Sequence, residues 1–122
     1  MGARSNVILQ QEDGQNLWLY SHWGGETFQT SDLARALRIA RGRIGDPAYF
    51  NRIVITEIFS ELQGTETGGG VGLIEEDNDG YDYFVVDVMT GTIRRHPVAT
   101  GITGPHTASW TLSEFIAEFG TD

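Results

Sequence analysis

Val7-Ile8-Leu9 and Leu17-Trp18-Leu19-Tyr20, separated by Glu12-Asp13-Gly14-Gln15-Asn16, decide how this chain folds. Both runs are rich in branched and aromatic residues, and Asp13-Gly14 is a turn pair that joins antiparallel strands. The two runs are therefore expected to form a hairpin on which the rest of the chain packs. The second run leads into Tyr20-Ser21-His22-Trp23-Gly24-Gly25, where a strand gives way to a glycine turn beside an imidazole and an indole. Groups held at the end of a rigid strand commonly serve binding or catalysis.

Beyond Gly25, Thr30 or Ser31 is placed to cap a helix whose Leu33, Ala36, Leu37, Ala40 and Ile44 form one apolar stripe, with Arg35 and Arg38 on the polar face. Asp46-Pro47 restarts the chain as a second helix, expected to run to about Leu62 with Tyr49, Phe50, Ile53, Val54, Ile58 and Leu62 on a wide apolar face. Three strands are then expected as a meander: Val71 to Ile74, Tyr83 to Val88, and Thr92 to Arg95, with turns at Asp79-Gly80 and Thr90-Gly91. Residues 99–109 read as loop. Thr111 caps a last helix with Glu114 completing a capping box, Leu112, Phe115, Ile116 and Phe119 facing inward, and Gly120 stopping it. The order ββααβββα in one domain, residues 1–122, predicts an α+β fold: an antiparallel sheet with helices on one or both faces.

The 122 residues suffice for one core without staples, and the absence of cysteine excludes disulfides, thiolate metal sites and cysteine nucleophiles. A formal charge of −9, with arginine as the sole basic residue type, argues against broad nucleic-acid binding. Arginine forks can still hold a single phosphate or carboxylate in a local pocket. No apolar run is long enough to span a bilayer and no secretory leader opens the chain, so a soluble, intracellular protein without membrane association is expected. Met1-Gly2 lacks the Ser or Thr that a myristoylation signal needs at the position of Asn6.

Arg4 and Asn6, alternating along the first strand, are expected to share a face with Tyr20 and His22; with Trp23, Gly24, Gly25, Arg35 and Arg38 they make up the candidate ligand-binding residues. His22 is the candidate catalytic residue, a proton donor or acceptor with Trp23 as a stacking wall, and the glycines permit close backbone approach. The competing account makes Trp23 a core plug and His22 a partner for backbone carbonyls. Arg35, Arg38, Arg41, Arg43 and Arg52 read more simply as a solvated helix face paired with Asp32, Asp46 and Glu57. Glu75, Asp77, Asp79 and Gly80 imitate the start of a calcium loop, but Val86 stands where the closing glutamate belongs, so the segment reads as an acidic hairpin tip. Gly68-Gly69-Gly70-Val71-Gly72 lacks a P-loop's Lys-Ser/Thr ending and leads into a strand. No nucleophile elbow, zinc-binding histidine pair or metal spacing occurs, Gly2 could not act as an N-terminal nucleophile, and neither metal nor cofactor is expected.

The start Met1-Gly2-Ala3-Arg4-Ser5-Asn6, the block Leu19 to Gly25, the helix start Asp46 to Ile53 and the segment Glu66 to Gly72 together resemble a family of small proteins of actinobacteriophages and related actinobacteria, over nearly the whole chain. The resemblance implies a phage accessory protein in the host cytoplasm, and it carries over no functional residue. In those relatives an aromatic often stands where this chain has Gly69 or Gly70. Three functions follow as expectations. The first is non-catalytic binding of a host molecule, either a small anionic ligand such as a nucleotide-type signal or a host protein, in the service of counter-defence. The second is a small hydrolase using His22 with Glu26 or Asp32. The third is a structural or assembly protein that forms homo-oligomers through its glycine loop and a sheet edge.

Overall fold

The run Val7-Ile8-Leu9 is wholly buried although its side chains alternate between two faces, because its strand lies in the middle of the sheet. The computed structural model describes residues 2–120; Met1, which opens the family-like motif, and residues 121–122 lie outside them. Strands β1 (Ser5–Gln10) and β2 (Asn16–Ser21) form the expected hairpin, with Val7 opposite Leu19 and Leu9 opposite Leu17. The remaining strands are β3 (Gly69–Gly72), β4 (Tyr83–Asp87), β5 (Ile93–His96) and β6 (Ala108–Trp110), in the spatial order β3-β2-β1-β4-β5-β6.

This order corrects the expectation of a purely antiparallel sheet. β1 pairs in parallel with β4, and the other neighbours are antiparallel. An uninterrupted apolar run needs cover on both faces and a strand on each side. β2 supplies one neighbour; β4 reaches the other side of β1 because the chain leaving β3 crosses the back of the sheet as a strap, residues 73–82. Asp79-Gly80 therefore belongs to a crossing segment, not to a turn between adjacent strands. Ile74 also falls outside β3, which starts earlier, within the glycines. β6 occupies the end of the segment expected as loop, and Trp110 anchors it by stacking on Phe84 at 5.9 Å.

The first helical segment begins earlier than expected. One turn, α1 (Gly25–Thr27), passes through a π-helical turn (Phe28–Asp32) into α2 (Leu33–Ala40). Thr30 and Ser31 are not caps: their hydroxyls donate to the carbonyls of Glu26 and Thr27 inside the segment. α3 (Pro47–Ile58) starts at Pro47 as expected but ends before Leu62, which lies in a separate 3-10 turn (Ser60–Leu62). Tyr49 is exposed, with Arg43 4.5 Å over its ring, while Phe50, Val54 and Ile58 carry the buried face. α4 (Leu112–Phe119) has the capping box of Thr111 and Glu114 and its inward Phe115.

The helices cover one face. Val7, Leu9, Leu19, Phe84, Val86 and Ile93 meet Leu33, Leu37, Phe50, Val54 and Phe115 in the main core. The back face carries a smaller cluster of Ile8, Tyr83 and Val85, edged by Trp18 and Ile102 and roofed by strap and loop. Among the described residues no helix is long and apolar enough to cross a membrane.

Candidate functional site

Asn6 lies opposite Tyr20 and Ile8 opposite Trp18, so the back face runs Asn6-Tyr20 and Ile8-Trp18 across the hairpin. β3 extends both rows with glycine, Gly70 beside Tyr20 and Gly72 beside Trp18. At its outer end this face therefore has no side chains of β3's own. A side-chain carbon at Gly70 would meet nothing within 4 Å, and at Gly72 only the carbonyl oxygen of Ile74 at 3.7 Å. The result is a hollow of about 330 Å³ floored by glycine backbone and walled by Trp18, Tyr20, Ile74 and Glu76. On the helix side of the same strand a second hollow, about 360 Å³, is lined by Ile55, Phe59 and Leu62 and again by Gly69 and Gly70. β3 thus runs between two depressions, one on each face of the sheet.

β3 is also an edge, with no strand beyond it among the described residues. His22 donates its backbone N–H to the carbonyl of Gly68 at 2.9 Å, which sets the phase of the ladder. Gly70 and Gly72 then turn their hydrogen-bonding groups toward β2, and Gly69 and Val71 turn theirs outward. Apolar side chains gather around this edge. Val71 is 48%, Trp23 63%, Leu73 69% and Ile74 79% exposed, values that set them apart from the buried residues of β1 and β4.

Arg4, Asn6, Tyr20 and His22 come together as expected, but most of their polar groups are already engaged, the buried Asn6 Oδ1 being without a hydrogen-bond partner among the described residues. Arg4 Nε and Nη2 donate to the two carboxylate oxygens of Asp79 at 3.0 and 2.8 Å, and Nη1 donates to Asp77 at 2.6 Å. These hydrogen bonds hold the Asp79 carboxyl at about 2, below its ordinary value. Asn6 is fully buried and donates its amide to the Asp77 carbonyl at 2.7 Å. Arg4 and Asn6 therefore fasten the strap across the sheet, which is the structural work of the calcium-like segment. Tyr20 Oη lies 3.1 Å from His22 Nδ1, and the Tyr20 pKa is raised by burial first, opposed by Arg4 and reinforced by nearby carboxylates including Glu76.

Trp23 is no core plug: it stands exposed beside His22 with ring centroids 4.7 Å apart. His22 hydrogen-bonds neither Glu26 nor Asp32 among the described residues, and Asp32 instead accepts from Arg35 at 3.1 Å. Gly24 and Gly25 serve packing. Gly24 N–H donates to Ser21 Oγ, and Gly25, at φ +52°, leaves no room for a side chain against the Tyr81 hydroxyl. Arg35 and Arg38 lie elsewhere, around a separate hollow of about 170 Å³ with Ser31, Asp32 and Gly120. Arg43 pairs with Asp46 at 3.6 Å, in keeping with a solvated, charge-paired helix face. No group of metal-ligating side chains is assembled among the described residues.

Trp18, Ile74, Glu76, Phe59 and Leu62 are not among the site residues expected from the sequence. The readable signal was the spacing Gly70-x-Gly72 next to an aromatic strand, which strips one face of side chains. Compared with protein-family models, with curated proteins and with solved structures, the chain finds no match.

Proposed function

We propose that this is a non-catalytic binding protein that captures an extended segment of another polypeptide along β3, in the phage setting a host protein whose action it blunts. The observation that carries the reading is the open edge itself: outward backbone groups at Gly69 and Val71 with a hollow on either face. An added strand supplies main-chain hydrogen bonds, and its side chains alternate between the two depressions. Exposed apolar residues bordering that edge favour the same use.

Selection from a random peptide display library tests it with the Val71→Pro variant as counter-screen. Proline removes the outward N–H of Val71 and leaves the β2-facing groups of Gly70 and Gly72 in place, a substitution that edge strands accept. Enriched peptides should bind the parent protein and not the variant. Peptides that bind both equally would remove the strand-capture reading. A second reading, a small anion such as a nucleotide held by Arg35 and Arg38, draws on the hollow between them. Calorimetry against cyclic and linear nucleotides should then give heat that Arg35→Ala abolishes; a folded sample giving none rejects it.

A further inference from the structure

The strap carries five carboxylates, and four of them are spoken for, Asp82 by Arg95 Nε at 2.9 Å. Glu75 accepts from the Tyr83 hydroxyl at 2.6 Å, while Asp77 and Asp79 divide the Arg4 guanidinium between them. Glu76 makes no hydrogen bond or ion pair with another described residue, and it borders the hollow whose walls are Trp18 and Tyr20. A carboxylate set beside two aromatic residues is a receptor for a cation: the ring quadrupoles attract it and the carboxylate supplies the counter-charge. The opposite hollow has a different chemistry. Ile55, Phe59 and Leu62 line it with neither acid nor base among its border residues.

Resting on the strand-capture reading, we infer that the captured segment is an extended one in which arginine or lysine alternates with aliphatic residues. Its basic side chains enter the hollow of Trp18, Tyr20 and Glu76, and its aliphatic side chains enter that of Ile55, Phe59 and Leu62. The alternation follows from strand geometry, since successive residues of an added strand face opposite sides of the sheet. Charge complementarity acts in the same direction: the chain carries −9, and Glu66, Glu75 and Glu76 flank β3. It also disfavours a second copy as occupant, because pairing β3 with itself would bring these acids together.

Fluorescence anisotropy with labelled octapeptides tests this directly. The probes are alternating Arg-Val, alternating Ser-Val, alternating Glu-Val, and a block peptide with the arginines and valines of the first segregated. The alternating Arg-Val peptide should bind tightest, and Glu76→Gln should weaken it about tenfold, the worth of one charge-assisted contact, while leaving Ser-Val binding unchanged. Equal affinity for Arg-Val and Ser-Val, with both lost in Val71→Pro, would overturn the cation assignment and leave strand capture standing. Binding of the block peptide as tightly as the alternating one would reduce the effect to bulk charge and overturn the assignment as well. Absence of binding by every peptide would remove both readings together. Saturable quenching of Trp18 by arginine amide at affinity equal to the peptide's would transfer the site to a free organic cation and overturn the docking proposal. Sedimentation at high concentration showing a dimer that Val71→Pro abolishes would give the edge to a second copy instead.

Discussion

At one end of the sheet β6 is a three-residue edge pinned by an aromatic side chain, and at the other β3 is an edge of nearly bare backbone. β6 holds only Ala108–Trp110, and Trp110 is wedged among Phe84, Phe115 and Phe119 at 5.4 to 5.9 Å, its indole N–H donating to Glu118 at 2.8 Å. The helix that follows is tied back by this partly buried residue, which anchors the short strand against the core although Ser109 stays exposed. β3 has three glycines among its four residues and apolar neighbours in water. Exposed edges invite pairing with other chains, and proteins usually blunt them. A bare, glycine-rich edge with a hollow on either face is the geometry that the proposed strand capture requires.

The largest expected effect tests the anchored edge. Trp110→Ala should cost about 3 kcal/mol, as for a large aromatic removed from a core contact, read as a lowered denaturation midpoint. It removes the stacking partner of Phe84 and Phe115 and unfastens α4. A loss near zero would mean that β6 is as peripheral as β3, and the comparison between the edges would fail.

Acid should then separate the two ends of the sheet. His96, at the end of β5, is buried beside Arg94, and both burial and that charge, in that order, hold its pKa below 6.5. Its Nδ1 donates to the Gly104 carbonyl at 3.1 Å, so the neutral ring holds the 97–107 loop. A group whose folded pKa is depressed binds more protons unfolded than folded; its stability is complete above pH 6.5 and fades as pH falls below that. Asp79 obeys the same sign at a lower window, complete above 3.8 and fading toward about 2. Stepwise acidification should first reduce hydrogen-exchange protection at Thr107 N–H, which bonds the Arg95 carbonyl, and only later at Asp79 N–H, which bonds the Arg4 carbonyl. Simultaneous loss at both amides would show that the strap and the loop do not open separately.

What the sequence disclosed divides along the same line. The hairpin, the Pro47 helix start and the Thr111 capping box were legible because each is a local pattern with a local cause. The parallel β1–β4 pair was not, since it depends on Arg4 and Asn6 seizing a strap some seventy residues away, a contact no periodicity reports. β6 was hidden because three residues are too few to show alternation, and Trp110 reveals its role only once Phe84 and Phe115 are beside it. At the candidate site, the cluster of Arg4, Asn6, Tyr20 and His22 was foreseen from strand alternation, but the pairing of Arg4 with Asp77 and Asp79 was not. The hollow was overlooked because it is made by side chains that are missing.

That last point supplies the smallest and most discriminating expectation. Gly70 is not in the left-handed region, and a methyl added there points into empty space. Gly70→Ala should thus leave stability within about 0.5 kcal/mol of the parent, as for a surface site with no special contact. Gly70→Val should be tolerated as well, since branched residues suit a strand, while its bulk occupies the floor of the hollow. If β3 is merely an unprotected edge, both variants behave as the parent in every assay. If the hollow receives side chains of a captured segment, the alternating Arg-Val peptide should lose affinity from Ala to Val at unchanged denaturation midpoint. Gly69 gives the contrast within the same strand: its added carbon would strike Phe59 at 2.7 Å and Leu62 at 2.9 Å, so Gly69→Ala should lower stability before any binding is measured. Two adjacent glycines, one required by packing and one by vacancy, would then be told apart by which measurement each disturbs.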